Sequence, residues 1–179
     1  MDEDISIINT NTRNEKFKNF FVNNKNKLIS TTLVIIIILV GAYSFDKYQT
    51  NKKTEISNKY NLATLKYSEN SKDITAKKLI EVINEQDSTY SPLSLYFIID
   101  NKLITDQSEI NGYFNVLIEE ISLDKEIKNL VIYKKALFNA DQAEEGDLLS
   151  ILNPLINSAS VWKSHALYLM AEYFYAKNQ

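Results

Sequence analysis

An uncharged apolar segment at residues 28–45, LISTTLVIIIILVGAYSF, constrains the fold of this chain more than any other feature. At ~1.5 Å per residue, a helix of this length measures about 27 Å, which is just enough to cross the hydrocarbon core of a bilayer. A helix also satisfies its backbone hydrogen bonds internally, as lipid requires. The segment therefore predicts a transmembrane helix. Its transmembrane residues include Leu28, Leu33, Ile36, Leu39 and Phe45.

A cleavable signal peptide and a buried core helix are the two alternatives to a membrane span. A signal peptide carries its apolar run near the start of the chain and ends it with small residues. Here a polar stretch of 27 residues comes first, and the bulky Tyr43 and Phe45 follow the apolar centre. A core helix would need apolar neighbours on all sides, and the flanking sequence is too polar to supply them. A retained span is the favoured interpretation.

The flanking charges bear on the orientation of the span. The span is preceded by Arg13, Lys16, Lys18, Lys25 and Lys27 and followed by Lys47, Lys52, Lys53 and Lys59, so the bias in basic residues is only slight. The N-terminal tail is short, and its Lys25 and Lys27 lie directly against the span. Because a long C-terminal domain can be translocated regardless of its charge, this arrangement favours a cytoplasmic N-terminus. We expect a short cytoplasmic tail at 1–27, the span at 28–45, a juxtamembrane linker at 46–57 and a folded domain at 58–179.

The domain after the span is predicted to be all-α. Three glycines and two prolines are too few turn formers for a many-stranded sandwich or barrel. Apolar residues recur at helical spacing to the end of the chain. Helix starts are predicted at Asp73, Ser91-Pro92, Asp106 with Glu109, Asp124, Glu144 and Ser160.

An offset of 35 residues superposes these predicted helices. It places Leu79 on Phe114, Phe114 on Leu149, and Leu117 on Leu152. A helix pair that recurs at about 34 residues is typical of tetratricopeptide repeats, because each pair leaves an apolar face that a neighbouring pair must cover. The pattern predicts an α-solenoid of three tetratricopeptide-like pairs and one further helix.

A plain helical bundle with helices of similar length is the alternative to the solenoid. Small residues that allow close helix approach lie 35 residues apart at Ala136 and Ala171, but the matching earlier positions are Asn101 and Lys66. The sequence therefore departs from the tetratricopeptide consensus at these positions, and both architectures stay open.

The C-terminal segment ILNPLINSASVWKSHALYLMAEYFYAKNQ, which begins at Ile151, resembles a stretch of the YfgM-type ancillary subunits of the SecYEG translocon. In that family, too, a leucine-rich helix ends, a Trp follows a short turn, and an alanine-containing helix begins. Family members usually continue through a partner of the final helix, whereas this chain stops at Gln179, which suggests a truncated or degenerate member.

The resemblance implies a bacterial inner-membrane protein with a periplasmic domain. It also implies a non-enzymatic accessory role, with translocon subunits and membrane-anchored periplasmic chaperones as partners.

No constellation of residues in the sequence predicts catalysis. The chain lacks cysteine and has one histidine, His165, so we expect no catalytic, metal or cofactor site. A formal net charge of −3 gives no reason to expect nucleic-acid binding.

Aromatic residues are the candidates for partner binding. Tyr96, Tyr133, Trp162 and Tyr168 could line a groove, although Trp162 is favoured as a packing residue between helix pairs. The expected function is a membrane-anchored protein–protein interaction module. The alternative is a self-associating scaffold for envelope assembly or cell division, and a homo-oligomer is possible in either case.

Overall fold

The computed structural model describes residues 2–177, with side chains from residue 13 onward, and in this range it contains helices and no strand. The prediction of an all-α protein is confirmed. The helices are α1 Asp2–Asn23, α2 Lys25–Leu65, α3 Lys72–Asn84, α4 Tyr90–Asp100, α5 Gln107–Asn115, α6 Lys125–Asn139, α7 Glu145–Ile156 and α8 Lys163–Ala176. A 3-10 turn, Glu69–Ser71, precedes α3, and a π-helical turn, Val116–Glu120, follows α5.

The chain divides into two compact units, an N-terminal unit of residues 1–52 and a C-terminal unit of residues 53–179. The residues expected to form a linker, 46–57, are helical and belong to α2. They contain neither Gly nor Pro, so nothing in this polar stretch breaks the helix. Ile56 is buried. The folded domain therefore begins a few residues before the predicted position 58.

Within the N-terminal unit, α1 ends at Asn23 and α2 begins at Lys25. The side-chain amide of the intervening Asn24 donates to the carbonyl oxygen of Phe20 at 2.9 Å. The predicted span lies in α2, which by length and composition is the one helix of the described residues that could cross a membrane. All eight aliphatic side chains of residues 33–40 are at least half exposed.

The C-terminal unit contains two apolar clusters. The first joins the end of α2 to α3, α4, α5 and the π-helical turn, and the second lies among α6, α7 and α8. Ile118, in the π-helical turn, packs against both clusters. The fully buried members of the first cluster include Leu79, Ile83, Leu95, Ile98, Phe114 and Leu117, and those of the second include Leu148, Leu152 and Leu155.

Most of the predicted helix starts lie where the sequence indicated. Asp106 caps α5, and its carboxylate accepts from the backbone N–H of Glu109 at 2.8 Å. Asp124 occupies the N-cap of α6. The prediction for Asp73 was wrong, because Ser71 holds the N-cap of α3 and Asp73 lies in its first turn. The 3-10 turn before α3 places the helix start earlier than the sequence pattern suggested.

Two helices end in the left-handed backbone conformation without a glycine. Gln86 follows α3 with φ 54°, and Lys102 follows α4 with φ 49°. After α4 the N–H of Leu103 donates to Ile98 O at 2.9 Å, and that of Lys102 donates to Ile99 O at 3.1 Å. These two bonds form a Schellman motif, which satisfies carbonyl groups that the helix end would leave unpaired.

The 35-residue offset holds for one step along the chain and then lengthens. Helices α3 and α5 begin 35 residues apart, as do α4 and α6, but α5 and α7 begin 38 apart, as do α6 and α8. The predicted match of Phe114 with Leu149 was therefore wrong: Phe114 is fully buried, and Leu149 is 39% exposed. Its buried counterpart is Leu152. The cause is α6, which has 15 residues where α4 has 11.

Candidate functional site

A groove of about 430 Å³ lies between the N-terminal parts of α4 and α6. We call it the Tyr96 groove. Its volume falls within the range of small-molecule and side-chain pockets in proteins. Its lining residues are Ser88, Thr89, Pro92, Leu93 and Tyr96 from α4 and the preceding turn, and Ser122, Asp124, Ile127 and Leu130 from α6 and the preceding turn.

Apolar side chains line much of this groove and are open to solvent. Leu93 is 40% exposed and Ile127 is 42% exposed, one on each helix. Both helices are anchored by other, buried side chains, such as Leu95 and Ile98 of α4 and Val131 and Ala136 of α6. The groove thus presents apolar surface on a rigid support, which suits recognition of an apolar side chain.

The hydroxyl group of Tyr96 is buried and has no hydrogen-bond partner among the described residues. Burial raises the pKa of Tyr96 to about 12. A buried hydroxyl without a partner costs roughly 1–3 kcal/mol, and such groups are uncommon in folded proteins. The other buried side-chain oxygen in this condition, that of Ser94, belongs to a fully buried residue that does not line the groove.

Tyr96 also borders a second, smaller cavity of about 140 Å³, which it shares with Phe114, Lys134 and Phe138. The ammonium nitrogen of Lys134 lies over the Tyr96 ring, 5.4 Å from its centroid. A cation over the ring face is attracted by the negative π surface. Packing and this contact hold the ring in place, so the hydroxyl cannot easily swing out to water.

Polar residues line the end of the groove near the starts of the two helices. Asp87 accepts from the N–H groups of Thr89 and Tyr90, both at 2.8 Å, and so fixes the turn before α4. Asp124 is the one charged residue among the lining residues of the described chain, and its side chain makes no capping hydrogen bond to α6. The groove therefore favours a ligand with an apolar group, to contact Leu93 and Ile127, and an adjacent positive charge, to face Asp124.

A second aromatic cluster joins α6 to the start of α8. The indole N–H of Trp162 donates to Glu126 O at 3.1 Å, and its ring stacks on Tyr133 with centroids 5.7 Å apart. The ring of His165 lies 5.2 Å from that of Trp162. An indole with a satisfied N–H and a stacked face is engaged in packing. This geometry favours the packing role that the sequence suggested for Trp162.

Glu126 and Asn129, which the sequence analysis did not single out, complete this contact. The hydroxyl of Ser160 donates to Glu126 Oε2 at 2.8 Å, and the Asn129 amide donates to Ser160 Oγ at 3.0 Å. Glu126 lies one residue after the first residue of α6, a position that looks like an ordinary solvated start of a helix. The contacts of Glu126 with Ser160 and Trp162 can be recognised only once the start of α8 is known to lie beside it.

The four predicted groove residues do not share one surface. Tyr133 and Trp162 contact each other. Tyr96 lines the Tyr96 groove, which contains none of the other three. Tyr168 is 63% exposed, and a hydrogen bond with Glu172 is the main cause of a raised pKa for its phenol.

Metal and cofactor binding were not expected from the sequence. No group of three or more His, Asp or Glu side chains within residues 13–177 is placed to hold a metal ion. His165 is exposed at the Trp162 cluster.

Comparison with protein-family models, curated proteins and solved structures finds no match to this chain. The resemblance to translocon subunits therefore stays a prediction, and the functional argument depends on the geometry of the chain itself.

Proposed function

We propose that this protein is a membrane-anchored protein–protein interaction module. In this proposal α2 crosses the bacterial inner membrane, the N-terminus is cytoplasmic, and the C-terminal unit is periplasmic. There it acts beside the Sec translocon and membrane-anchored periplasmic chaperones, as the family resemblance implies.

The exposed aliphatic run of residues 33–40 carries the anchoring part of the proposal. Fully burying one such side chain is worth roughly 1.5–3 kcal/mol, so leaving eight of them half exposed to water costs on the order of 10 kcal/mol. The burial free energy forfeited in water is thus as large as the whole unfolding free energy of an ordinary domain. Lipid removes this cost without any protein partner. Tyr43 and Tyr48 are also exposed beyond the run, at the level expected for an interfacial aromatic belt.

Two membrane experiments test the anchoring. The full-length chain should stay with vesicles after extraction with alkaline carbonate. A periplasm-dependent reporter fused after the last residue should be active, because the domain is placed outside the cytoplasm. Release of the chain by carbonate would contradict the span, and an active cytoplasm-dependent reporter would contradict the orientation.

The repeated spacing of helix starts in the C-terminal unit supports a binding role. Both members of the α3–α4 pair are repeated 35 residues later by α5–α6, and both members of α5–α6 are repeated 38 residues later by α7–α8. A common shift of both partners is typical of a repeated pair rather than of unrelated helices. Repeats of this kind present extended surfaces to peptides and helices. We therefore favour a tetratricopeptide-like solenoid over a plain bundle.

The Tyr96 groove is the proposed contact surface for a partner side chain. A partner that enters the groove covers Leu93 and Ile127, which are about 40% exposed, one on each wall. The Tyr96 hydroxyl is closed to solvent and is not part of this contact, although without a hydrogen bond it lowers the stability of the fold.

Tyr96→Phe and Tyr173→Phe form a matched pair that tests the missing hydrogen bond of the Tyr96 hydroxyl. The Tyr173 hydroxyl donates to Ala143 O at 3.0 Å, so its removal should cost about 1 kcal/mol of stability. Removal of the Tyr96 hydroxyl should cost nothing or stabilise the fold. Affinity purification from solubilised membranes should recover less translocon or chaperone protein with Leu93→Ala than with Leu149→Ala, because both leucines are about 40% exposed and only Leu93 lines the groove. Normal recovery with Leu93→Ala would contradict the groove assignment, and recovery of neither partner by the unaltered chain would contradict the translocon proposal.

A self-associating scaffold is the second candidate function. The favouring observation is that α8 and the turn before it carry exposed apolar side chains, at Val161, Leu167 and Tyr175. Sedimentation of the detergent-solubilised chain at increasing concentration tests this candidate. A monomer throughout would remove it.

A further inference from the structure

The second half of α1 carries a narrow apolar face. Phe17, Phe20 and Phe21 are each more than half exposed. At about 100° per residue, these three positions lie within one sector of roughly 100° on the helix surface. The grouping is visible in space as well, because Phe17 and Phe20 line a shallow concave surface of the N-terminal unit together with Arg13 and Lys16.

Basic residues flank this face on both sides. Lys16 and Lys18 immediately precede and follow Phe17, so each lies about 100° from it around the helix. Glu15 and Asn19 occupy the opposite side. Long lysine side chains at such positions can rest their methylenes on apolar surface while the ammonium groups reach outward.

The charge of this region is opposite to that of the chain as a whole. Residues 13–27 contain five basic residues and one acidic residue, whereas the full chain has a net charge of −3. The segment is also next to the membrane, since the proposed span begins at Leu28. Apolar side chains framed by lysines beside a span are suited to the interface of a bilayer rich in anionic lipid.

A mainly apolar surface joins the end of α1 to α2. Phe21 and Val22 line this concave surface of about 760 Å³ with Leu28, Ile29, Leu33 and Ile36, and Lys25 and Thr32 are its polar lining residues. Of the three phenylalanines, Phe21 lines this surface, whereas Phe17 and Phe20 line the separate one with Arg13 and Lys16.

Helical backbone hydrogen bonds continue through the junction of α1 and α2, from Asn24 N–H to Phe20 O at 3.0 Å and from Leu28 N–H to Asn24 O at 2.9 Å. An interfacial orientation of α1 therefore requires the helix to bend at this junction, and the depth labels described below test that bend.

We propose that residues 13–23 of α1 form an interfacial helix that binds the anionic headgroup surface of the bilayer crossed by α2. The three phenylalanines insert at the headgroup boundary, and the flanking lysines pair with lipid phosphates. This inference rests on the proposed anchoring by α2. It adds a second membrane contact, on the cytoplasmic side, that the span alone does not require.

The absence of cysteine allows single-cysteine labelling without background. Three full-length variants are reconstituted in vesicles and spin-labelled: Phe20→Cys on the apolar face, Asn19→Cys on the opposite face, and Ile36→Cys in the span. Depth is measured from collisions with oxygen and with a water-soluble nickel chelate. Vesicles of phosphatidylcholine alone are compared with vesicles of phosphatidylcholine and phosphatidylglycerol.

The Phe20 label should lie at headgroup depth in vesicles with phosphatidylglycerol and become water-exposed at high salt, because salt screens the lysines. The Asn19 label should stay in water, and the Ile36 label should be deep in both lipids. Adding Lys18→Gln should lower the interface-bound population of the Phe20 label about fivefold, the worth of one lysine at an anionic surface.

The labels separate the failure of this inference from failure of the anchoring. A water-exposed Ile36 label overturns the anchoring itself. A deep Ile36 label with Phe20 as exposed as Asn19 overturns the interfacial helix alone. Equal depth of the Phe20 label in phosphatidylcholine overturns the role of anionic lipid. Dipolar broadening at Phe20 that disappears on dilution with unlabelled chain would assign the face to a second copy instead.

Discussion

The strongest test of the fold compares Leu149→Ala with Leu152→Ala. Both residues lie on α7 and undergo the same chemical change, so the difference in helix propensity cancels. A strict 35-residue repeat makes Leu149 the counterpart of the fully buried Phe114. In the structure, however, Leu149 is 39% exposed and Leu152 is fully buried.

The two variants should therefore differ in stability by a measurable amount. Truncation of a fully buried leucine costs about 2.7–5 kcal/mol, because it loses transfer free energy and leaves a cavity. Leu149 loses only part of the transfer free energy, and water can fill the space, so about 1 kcal/mol is expected. A gap of about 2 kcal/mol corresponds to a roughly 30-fold difference in the unfolding equilibrium.

Urea unfolding of the full chain in lipid nanodiscs measures this gap, with far-ultraviolet circular dichroism as the signal. The midpoint for Leu152→Ala should lie well below that for Leu149→Ala, with similar slopes for both. Equal losses of stability, or a larger loss for Leu149→Ala, would refute the placement of α7. Either result would favour the unbroken 35-residue register instead.

Three further predictions concern single contacts of the C-terminal unit. Asn111 and Asn139 exchange two amide hydrogen bonds, each 2.8 Å long, between α5 and α6, so a double-mutant cycle with alanine in urea unfolding should give a coupling of about 1–2 kcal/mol; a coupling near zero would contradict the pair. Lys102→Gly should raise the melting midpoint by the equivalent of about 0.5–1 kcal/mol, because its positive φ suits glycine, and no gain would contradict that conformation. The pKa of Tyr96 and that of Tyr113 are both raised to about 12 from a usual value near 10. Since the folded-state pKa is the higher one, their contribution to stability is complete below pH 10 and is lost as the pH rises from about 10 to 12. Unfolding free energy against pH should fall less steeply for Tyr96→Phe, and phenolate absorbance appearing near pH 10 for every tyrosine would contradict the shift.

Helix content was predictable because its signals are local. The apolar spacing, the scarcity of Gly and Pro, and the caps at Asp106 and Asp124 all act within one or two turns. Helix ends were harder to predict. Gln86 and Lys102 adopt a conformation that glycine usually supplies, so the sequence gives no sign of these ends. The polar stretch 46–57 looked like a linker, although it lacks any residue that forbids helix and carries the buried Ile56.

The candidate site was harder to predict because it depends on which helices meet. The sequence analysis chose aromatic residues as the binding candidates, but composition cannot say that Trp162 stacks on Tyr133 while Tyr96 lies in a separate groove. The property that distinguishes Tyr96 from the other candidates, a buried hydroxyl without a hydrogen-bond partner among the described residues, depends on the residues packed around it. Likewise Glu126 and Asn129 become recognisable only once Ser160 lies within hydrogen-bond distance of them.

The lengthened second step of the repeat connects these observations. Helix α6 is four residues longer than its counterpart α4. Near its start and middle, Glu126 and Tyr133 contact Trp162. At its end, Asn139 forms hydrogen bonds with Asn111. Both of its ends are therefore fixed to neighbouring helices by polar or aromatic contacts as well as by burial. Its first two turns, with Ile127 and Leu130, also form one wall of the Tyr96 groove. A groove wall held at both ends keeps its shape when empty, and such preorganisation lowers the entropic cost of binding a partner.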